Sequence, residues 1–213
     1  MNPVVRRLAA AGESAVHRAA IRYAGLGVAT RLRLRGLQVG VACGFLGMPV
    51  VTRHPESEII IGDGVRMISK TFATALGVSH PCILRTLAAG ATLQIGCRTG
   101  MSGGAICAAR QVVIGADCLI GADVVIADTD FHPLDPSLRR DSAAAYRAAR
   151  PVVIGDNVFL GTRVTVLKGV VIGENTVVGA GSVVTATLPA NVIAGGNPCR
   201  IIRQLPATGS SDA

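Results

Sequence analysis

Residues 152–185 read VVIGDNVFLGTRVTVLKGVVIGENTVVGAGSVVT, and their rhythm decides the fold. An aliphatic residue returns every sixth position, at Ile154, Leu160, Val166, Ile172, Val178 and Val184. Two positions before each stands a small or β-branched residue: Val152, Val158, Val164, Val170, Thr176 and Ser182. Glycine follows at Gly155, Gly161, Gly173 and Gly179, whereas Leu167 and Thr185 follow the third member of each trio, so a period of 18 overlies the period of 6. An amphipathic helix would repeat near 3.6 residues. Short strands with stacked inward residues, joined by Gly or Asn turns, fit a step of six. Three such faces close a triangular coil, each coil pairing with the next about 4.8 Å away. The expected fold is mainly β, a left-handed parallel β-helix of hexapeptide repeats.

Working outward, Ile114, Ile120 and Ile126 keep the same step, and the next aliphatic in phase is Ile154. The gap of 28 residues exceeds one step by 22, and removing those 22 restores the phase. The chain therefore leaves a finished coil as a protruding loop, assigned to 127–150, and then resumes. Loops of this length are uncommon and often functional. Looser traces at 58–67 and 91–106 place the start of the solenoid near residue 57, giving a β-helix domain over 57–205. Residues 1–56 read as a basic helical segment and lead-in, with a helix over 4–24, and residues 206–213 as a mobile tail.

Half of the 213 residues are apolar, enough for one sizeable core, but only 3% are aromatic, so that core must be aliphatic. The net charge of +8 is concentrated at the front, where Arg6, Arg7, Arg18, Arg22, Arg31, Arg33 and Arg35 face only Glu13. Such a segment, residues 1–35, is either a packed helix with solvated arginines or a peripheral membrane contact; no nucleic-acid partner is expected. The six cysteines show no C-x-x-C spacing and no accompanying His pair, so no metal is expected and they read as reduced core thiols of a cytoplasmic protein. No run of about 18 apolar residues occurs, and Arg18 and Arg22 interrupt any signal-like segment. The expected location is cytoplasmic, with contact to the inner membrane face left open.

The protruding loop opens with DTDFHPLDPSLRR (128–140). His132 stands near its base, beside a rigid scaffold, with an ordinary titration range suited to proton abstraction. Asp128 and Asp130 are candidates to fix its tautomer. The competing reading is an Asp/His-rich loop stiffened by Pro133 and Pro136 that only closes a turn. His17 and His54 read as solvated, and His80 as a residue able to line a pocket.

The hexads, the loop with DTDFHP, and the closing IAGGNPCRIIR (193–203) together resemble the hexapeptide-repeat acyltransferases, and among these the sugar and polysaccharide O-acetyltransferases of the maltose and galactoside type. The resemblance covers about 57–205. It implies an acetyl-CoA-dependent O-acetyltransferase acting on a sugar or polysaccharide-precursor hydroxyl by direct transfer, with His132 as general base and Asp128 or Asp130 supporting it. It further implies that pantetheine lies along Gly161, Thr162, Gly179 and Ala180, that Thr185, Arg200 and Arg203 meet the adenosine end, and that the enzyme is a homotrimer with the site between subunits. Two positions depart from the pattern: Ala186 where relatives often have Lys, and Phe159 where an indole is common. A serine or antibiotic hydroxyl as acceptor, and a non-catalytic scaffold or membrane-surface module, are the alternatives. A gamma-type carbonic anhydrase would need three gathered histidines, and only His132 is suitably placed.

Overall fold

The computed structural model describes residues 27–206. The expected helix over 4–24, most of the basic N-terminus and all but the first residue of the expected tail lie outside the described residues. Three parallel ladders form the faces of a prism. The first face runs Gln38–Val39, Glu58–Ile61, Thr92–Ile95, Gln111–Ile114, Val152–Ile154, Val171–Ile172. The second runs Gly44–Leu46, Arg66–Ile68, Gly100–Ser102, Leu119–Ile120, Phe159–Leu160, Val177–Val178 and Val192–Gly195. The third runs Val50–Thr52, Ile83–Thr86, Ala105–Ala108, Val125–Ala127, Thr165–Val166, Val183–Val184. Each coil visits the faces in order, so within the three parallel ladders sequence neighbours do not pair and the partners of a strand lie one coil before and one coil after it.

The hexad aliphatics all point inward. Ile114, Ile154 and Ile172 stack on the first face, Leu160 and Val178 on the second, and Ile126, Val166 and Val184 on the third, each no more than 1% exposed. Burying a column of such side chains contributes roughly 1.5–3 kcal/mol per residue. Inward Thr176 and Ser182 are buried, but their hydroxyls donate to the carbonyls of Pro189 and Gly179, so neither is orphaned. Glycine after the aliphatic answers a steric demand. A Cβ on Gly161 would stand 2.6 Å from the amide nitrogen of Ala180 in the next coil, and one on Gly155 2.7 Å from that of Glu174. At the corner between first and second faces, Asn157, Asn175 and Asn191 adopt φ of 55, 59 and 60° and join side chain to side chain, Nδ2 to Oδ1, at 2.9 Å per step. Asparagine tolerates this left-handed backbone better than other residues with a Cβ.

The regular ladder starts earlier than expected. Gln38–Val39 already pairs with Glu58–Ile61, so a complete coil precedes residue 57. Its signal is present as Val39, Phe45 and Val51, six apart, but an aromatic replaces the middle aliphatic and the next coil is distorted by an excursion over 69–82. That second loop is tied down where Ser79 donates through its amide and hydroxyl to the two oxygens of Asp123, at 2.9 and 2.7 Å.

Both ends of the prism are covered. Helical residues 27–34 bury Ala29 and Leu32 on the first coil, and Arg33 donates to the carbonyls of Val39 and Gly40 while Arg35 donates to that of Val51. These two arginines are committed to backbone carbonyls of the leading edge. At the other end Arg200–Gln204 folds back antiparallel on Val192–Gly195. Among the described residues no helix is long and apolar enough to cross a membrane.

Candidate active site

The ladder passes straight beneath the protruding loop: Ile114 pairs with Ile154 and Ile126 with Val166. The loop leaves at the corner between third and first faces, after Ala127, and its ends close where the Arg150 amide donates to the Asp128 carbonyl at 2.9 Å. It is not structureless. Asp135 caps the 3-10 turn Pro136–Leu138 by accepting from the Ser137 amide, and Asp141 caps the helix Ser142–Arg147 by accepting from the Ala144 amide. Ala145 and Ala149 are buried, which holds this small helix against the prism.

The two aspartates expected to support His132 turn out to be staples in opposite directions. Asp128 is fully buried; its Oδ1 accepts from the Ala109 amide at 2.7 Å and its Oδ2 from the amides of Arg110 and Gln111 at 2.6 and 2.7 Å, all at the same corner one coil earlier. Burial pushes its carboxyl above the usual range, and the three amide donors pull against that shift. Asp130 is 2.5 Å from Nζ of Lys168, at the same corner one coil later. Between Asp130 and His132 the chain turns sharply at Phe131, whose φ is 63°. Neither carboxylate hydrogen-bonds the imidazole. Instead His132 Nδ1 lies 3.2 Å from the carbonyl of Arg139, within the loop. A carbonyl only accepts, so this contact selects the Nδ1–H tautomer of the neutral ring and leaves Nε2 with its lone pair outward. The ring's hydrogen-bond partner is thus a backbone carbonyl rather than an aspartate, and Lys168 is a neighbour of the loop base that reading the sequence missed. A charged residue after Leu167, where the repeat would accept anything, was its only signal.

The residues expected to hold the cofactor sit at other places on the prism. Gly161 and Thr162, and one coil later Gly179 and Ala180, line the corner between second and third faces. Thr162 donates through Oγ1 to the Ala122 carbonyl at 2.8 Å. Thr185 is exposed at the loop's own corner, two coils on, and Arg200 and Arg203 are exposed on the closing strand, where their guanidiniums reach only the carbonyls of Cys199 and Gln204. Within one chain, then, His132 and the Gly161–Thr162 corner occupy different edges of the triangle. His80 projects near the latter edge with its Nδ1 against the Pro81 carbonyl, 2.8 Å away. All six cysteines are free. Among the described residues no cluster of three or more His, Cys, Asp or Glu could hold a metal ion.

A triangular β-solenoid that carries a histidine on a loop thrown from one corner is the class defined by these features. Comparison with known proteins agrees with it. Family models for "Bacterial transferase hexapeptide (six repeats)" and "Hexapeptide repeat of succinyl-transferase" match residues 151–186 and 111–127. Galactoside O-acetyltransferase of Escherichia coli is 43% identical over 94 residues, 44% of each chain. The chain thus spans less than half the length of that curated relative. An N-acyltransferase from Bacillus cereus, AntD, superposes with a TM-score of 0.60 at 19% identity over 84% of this chain and 89% of its own, and a hexapeptide-repeat acetyltransferase from Vibrio cholerae with 0.52 at 23% over 90% and 94%. The chain thus carries hexapeptide repeats over 111–127 and 151–186, is similar over less than half its length to a sugar O-acetyltransferase, and has the mainly β, parallel solenoid of a left-handed β-helix.

Proposed function

We propose that the protein is an acetyl-CoA-dependent O-acetyltransferase acting on a hydroxyl of a sugar or polysaccharide precursor, with His132 as general base. The observation that carries this reading is the imidazole itself. It stands on a loop stapled to the scaffold, its Nδ1 is held by the Arg139 carbonyl, and its Nε2 is left as the proton acceptor. The galactoside O-acetyltransferase relative supports the sugar hydroxyl as acceptor.

In this mechanism Nε2 takes the proton of the acceptor hydroxyl as its oxygen attacks the thioester carbonyl of acetyl-CoA. The tetrahedral intermediate collapses, the C–S bond breaks, and the leaving thiolate recovers the proton from the imidazolium, giving an acetyl ester and CoA. No acyl-enzyme forms, so the cysteines need no part in it. Gly161, Thr162, Gly179 and Ala180 would receive pantetheine along their corner, where small side chains keep the backbone approachable. Thr185, Arg200 and Arg203 would meet the nucleotide; both guanidiniums lack a carboxylate partner among the described residues, which leaves them available to phosphate. Because the base and the cofactor corner lie on different edges of one prism, the site is completed in a homotrimer, where one chain's loop meets its neighbour's corner.

The test is thiol release from acetyl-CoA against sugars, amino sugars, serine and a hydroxyl-bearing antibiotic. One sugar class should stimulate release, and His132→Ala should lower it by about 10²- to 10⁴-fold while calorimetry still detects CoA binding. Normal transfer by His132→Ala would make the loop structural and remove the mechanism.

A further inference from the structure

Asp130 and Lys168 form a partly buried ion pair at the loop base, where Asp130 stands two residues before His132 in the chain. Their side chains are 32% and 16% exposed, and the pair joins the loop to the coil beneath it. In the ladder Ile126 faces Val166, so Lys168 lies under Asp128 and reaches up to the residue two places before His132. A lysine this sheltered needs a counter-charge, which sets the pair apart from exposed ion pairs that contribute almost nothing.

We propose that Lys168 is a positioning residue for His132: through Asp130 it holds the loop base against the prism and cancels the negative charge of the carboxylate two residues before the ring. This rests on the reading of His132 as general base. Charge cancellation matters because an uncompensated carboxylate near the ring would favour the imidazolium, which cannot accept a proton. The other charges around the loop are already occupied or lie elsewhere. On the loop, Asp135 accepts from Ser137, Asp141 pairs with Arg147, Arg139 donates to the Leu134 carbonyl, and Arg140 is exposed. On the coil above, Asp128 is held by three amides and Arg110 is exposed; at the return, Arg150 is exposed and packs by Gly169. Asp130 and Lys168 are thus the balanced pair that links this charge to the scaffold.

Two single variants separate positioning from charge. Lys168→Met leaves Asp130 negative and unpaired, so the neutral base is populated only at higher pH. Asp130→Asn leaves Lys168 positive, so the shift runs the other way. With only four histidines in the chain, labelled-imidazole NMR can follow His132 in the full-length protein without substrate, using His132→Ala to assign it. Titration of the ring should move up in Lys168→Met and down in Asp130→Asn. The acid limb of kcat/KM should follow in the same directions. Both variants should also lose about tenfold or more in kcat, with KM for acetyl-CoA little changed, and Lys168→Arg should retain activity. Unmoved titration in both variants, shifts of the same sign, or Lys168→Met with unchanged kcat would overturn the proposal. If Lys168→Met fails to fold, Asp130→Asn alone must still lower the titration. Opposite NMR shifts without any acetyl transfer by the wild type would leave the charge coupling standing and remove the proposed function instead.

Discussion

Asp128 and His132 are four residues apart, yet they meet opposite surroundings. The carboxylate is sealed in the corner with three backbone amides, and the imidazole faces solvent. Asp128→Ala would leave those amides without their acceptor and should cost about 3 kcal/mol or more, seen as a lower urea midpoint. Asp128→Asn keeps one acceptor oxygen and should cost less. Equal stability of wild type and Asp128→Ala would mean that water replaces the carboxylate without loss. The thiols give a second test at this scale. Burial pushes Cys82 and Cys118 above the ordinary thiol range, so at pH 8 each holds less thiolate than a free cysteine. Both should be modified by Ellman's reagent far more slowly in the native protein than in urea. As pH rises through the ordinary thiol range, the unfolded protein should accelerate first. Comparable native and denatured rates at pH 8 would contradict their burial.

At the scale of the element, the corner ladder of Asn157, Asn175 and Asn191 couples successive coils through side chains as well as strands. Asn175 both donates and accepts in it while holding a left-handed backbone. Asn175→Ala loses both hydrogen bonds and strains the turn, for an expected loss of about 2 kcal/mol. Asn175→Gly loses the hydrogen bonds but relieves the backbone, so its melting temperature should lie between those of Asn175→Ala and the wild type. The reverse order would show that the freedom glycine adds to the unfolded chain outweighs the relief of the left-handed turn. The protruding loop is an element of a different kind. Asp135 and Asp141 start its two short helical turns, but Asp128, Lys168 and the buried Ala145 attach it to the prism.

For the whole molecule, the consequence of a triangular prism is that each chain has three separate edges. His132 rises from one, and the Gly161–Thr162 corner lies on another. If activity needs both, it needs neighbours. Mixing inactive His132→Ala subunits with subunits blocked at the cofactor corner, for example Thr162→Trp, should restore activity after dissociation and reassembly, with roughly a quarter of sites pairing an intact base with an intact corner. No recovery from such a mixture would place the complete site within one chain. The exposed Leu119 and Phe159, 59% and 44% accessible on the second face beside that corner, are surfaces such a neighbour would meet.

Much of this was determined by the sequence itself. A step of six with glycine at two of three corners admits one geometry, because only stacked coils bring Gly155 and Gly161 into contact with the next backbone. The same step measured the loop, since the phase resumed at Ile154. Where an aromatic stood for an aliphatic at Phe45, or an excursion broke the coil over 69–82, the step was hidden and the first coil was missed. His132 could be singled out because its loop interrupts a strict repeat. The partners of the loop's aspartates and of the ring could not, because they are joined across coils or within the loop: Asp128 to amides 17–19 residues earlier, Asp130 to a lysine 38 residues later, and the ring to a carbonyl of its own loop. Local pattern specifies where a strand turns inward. Only the closed prism, by bringing the same corner of three successive coils together, decides which charge meets which.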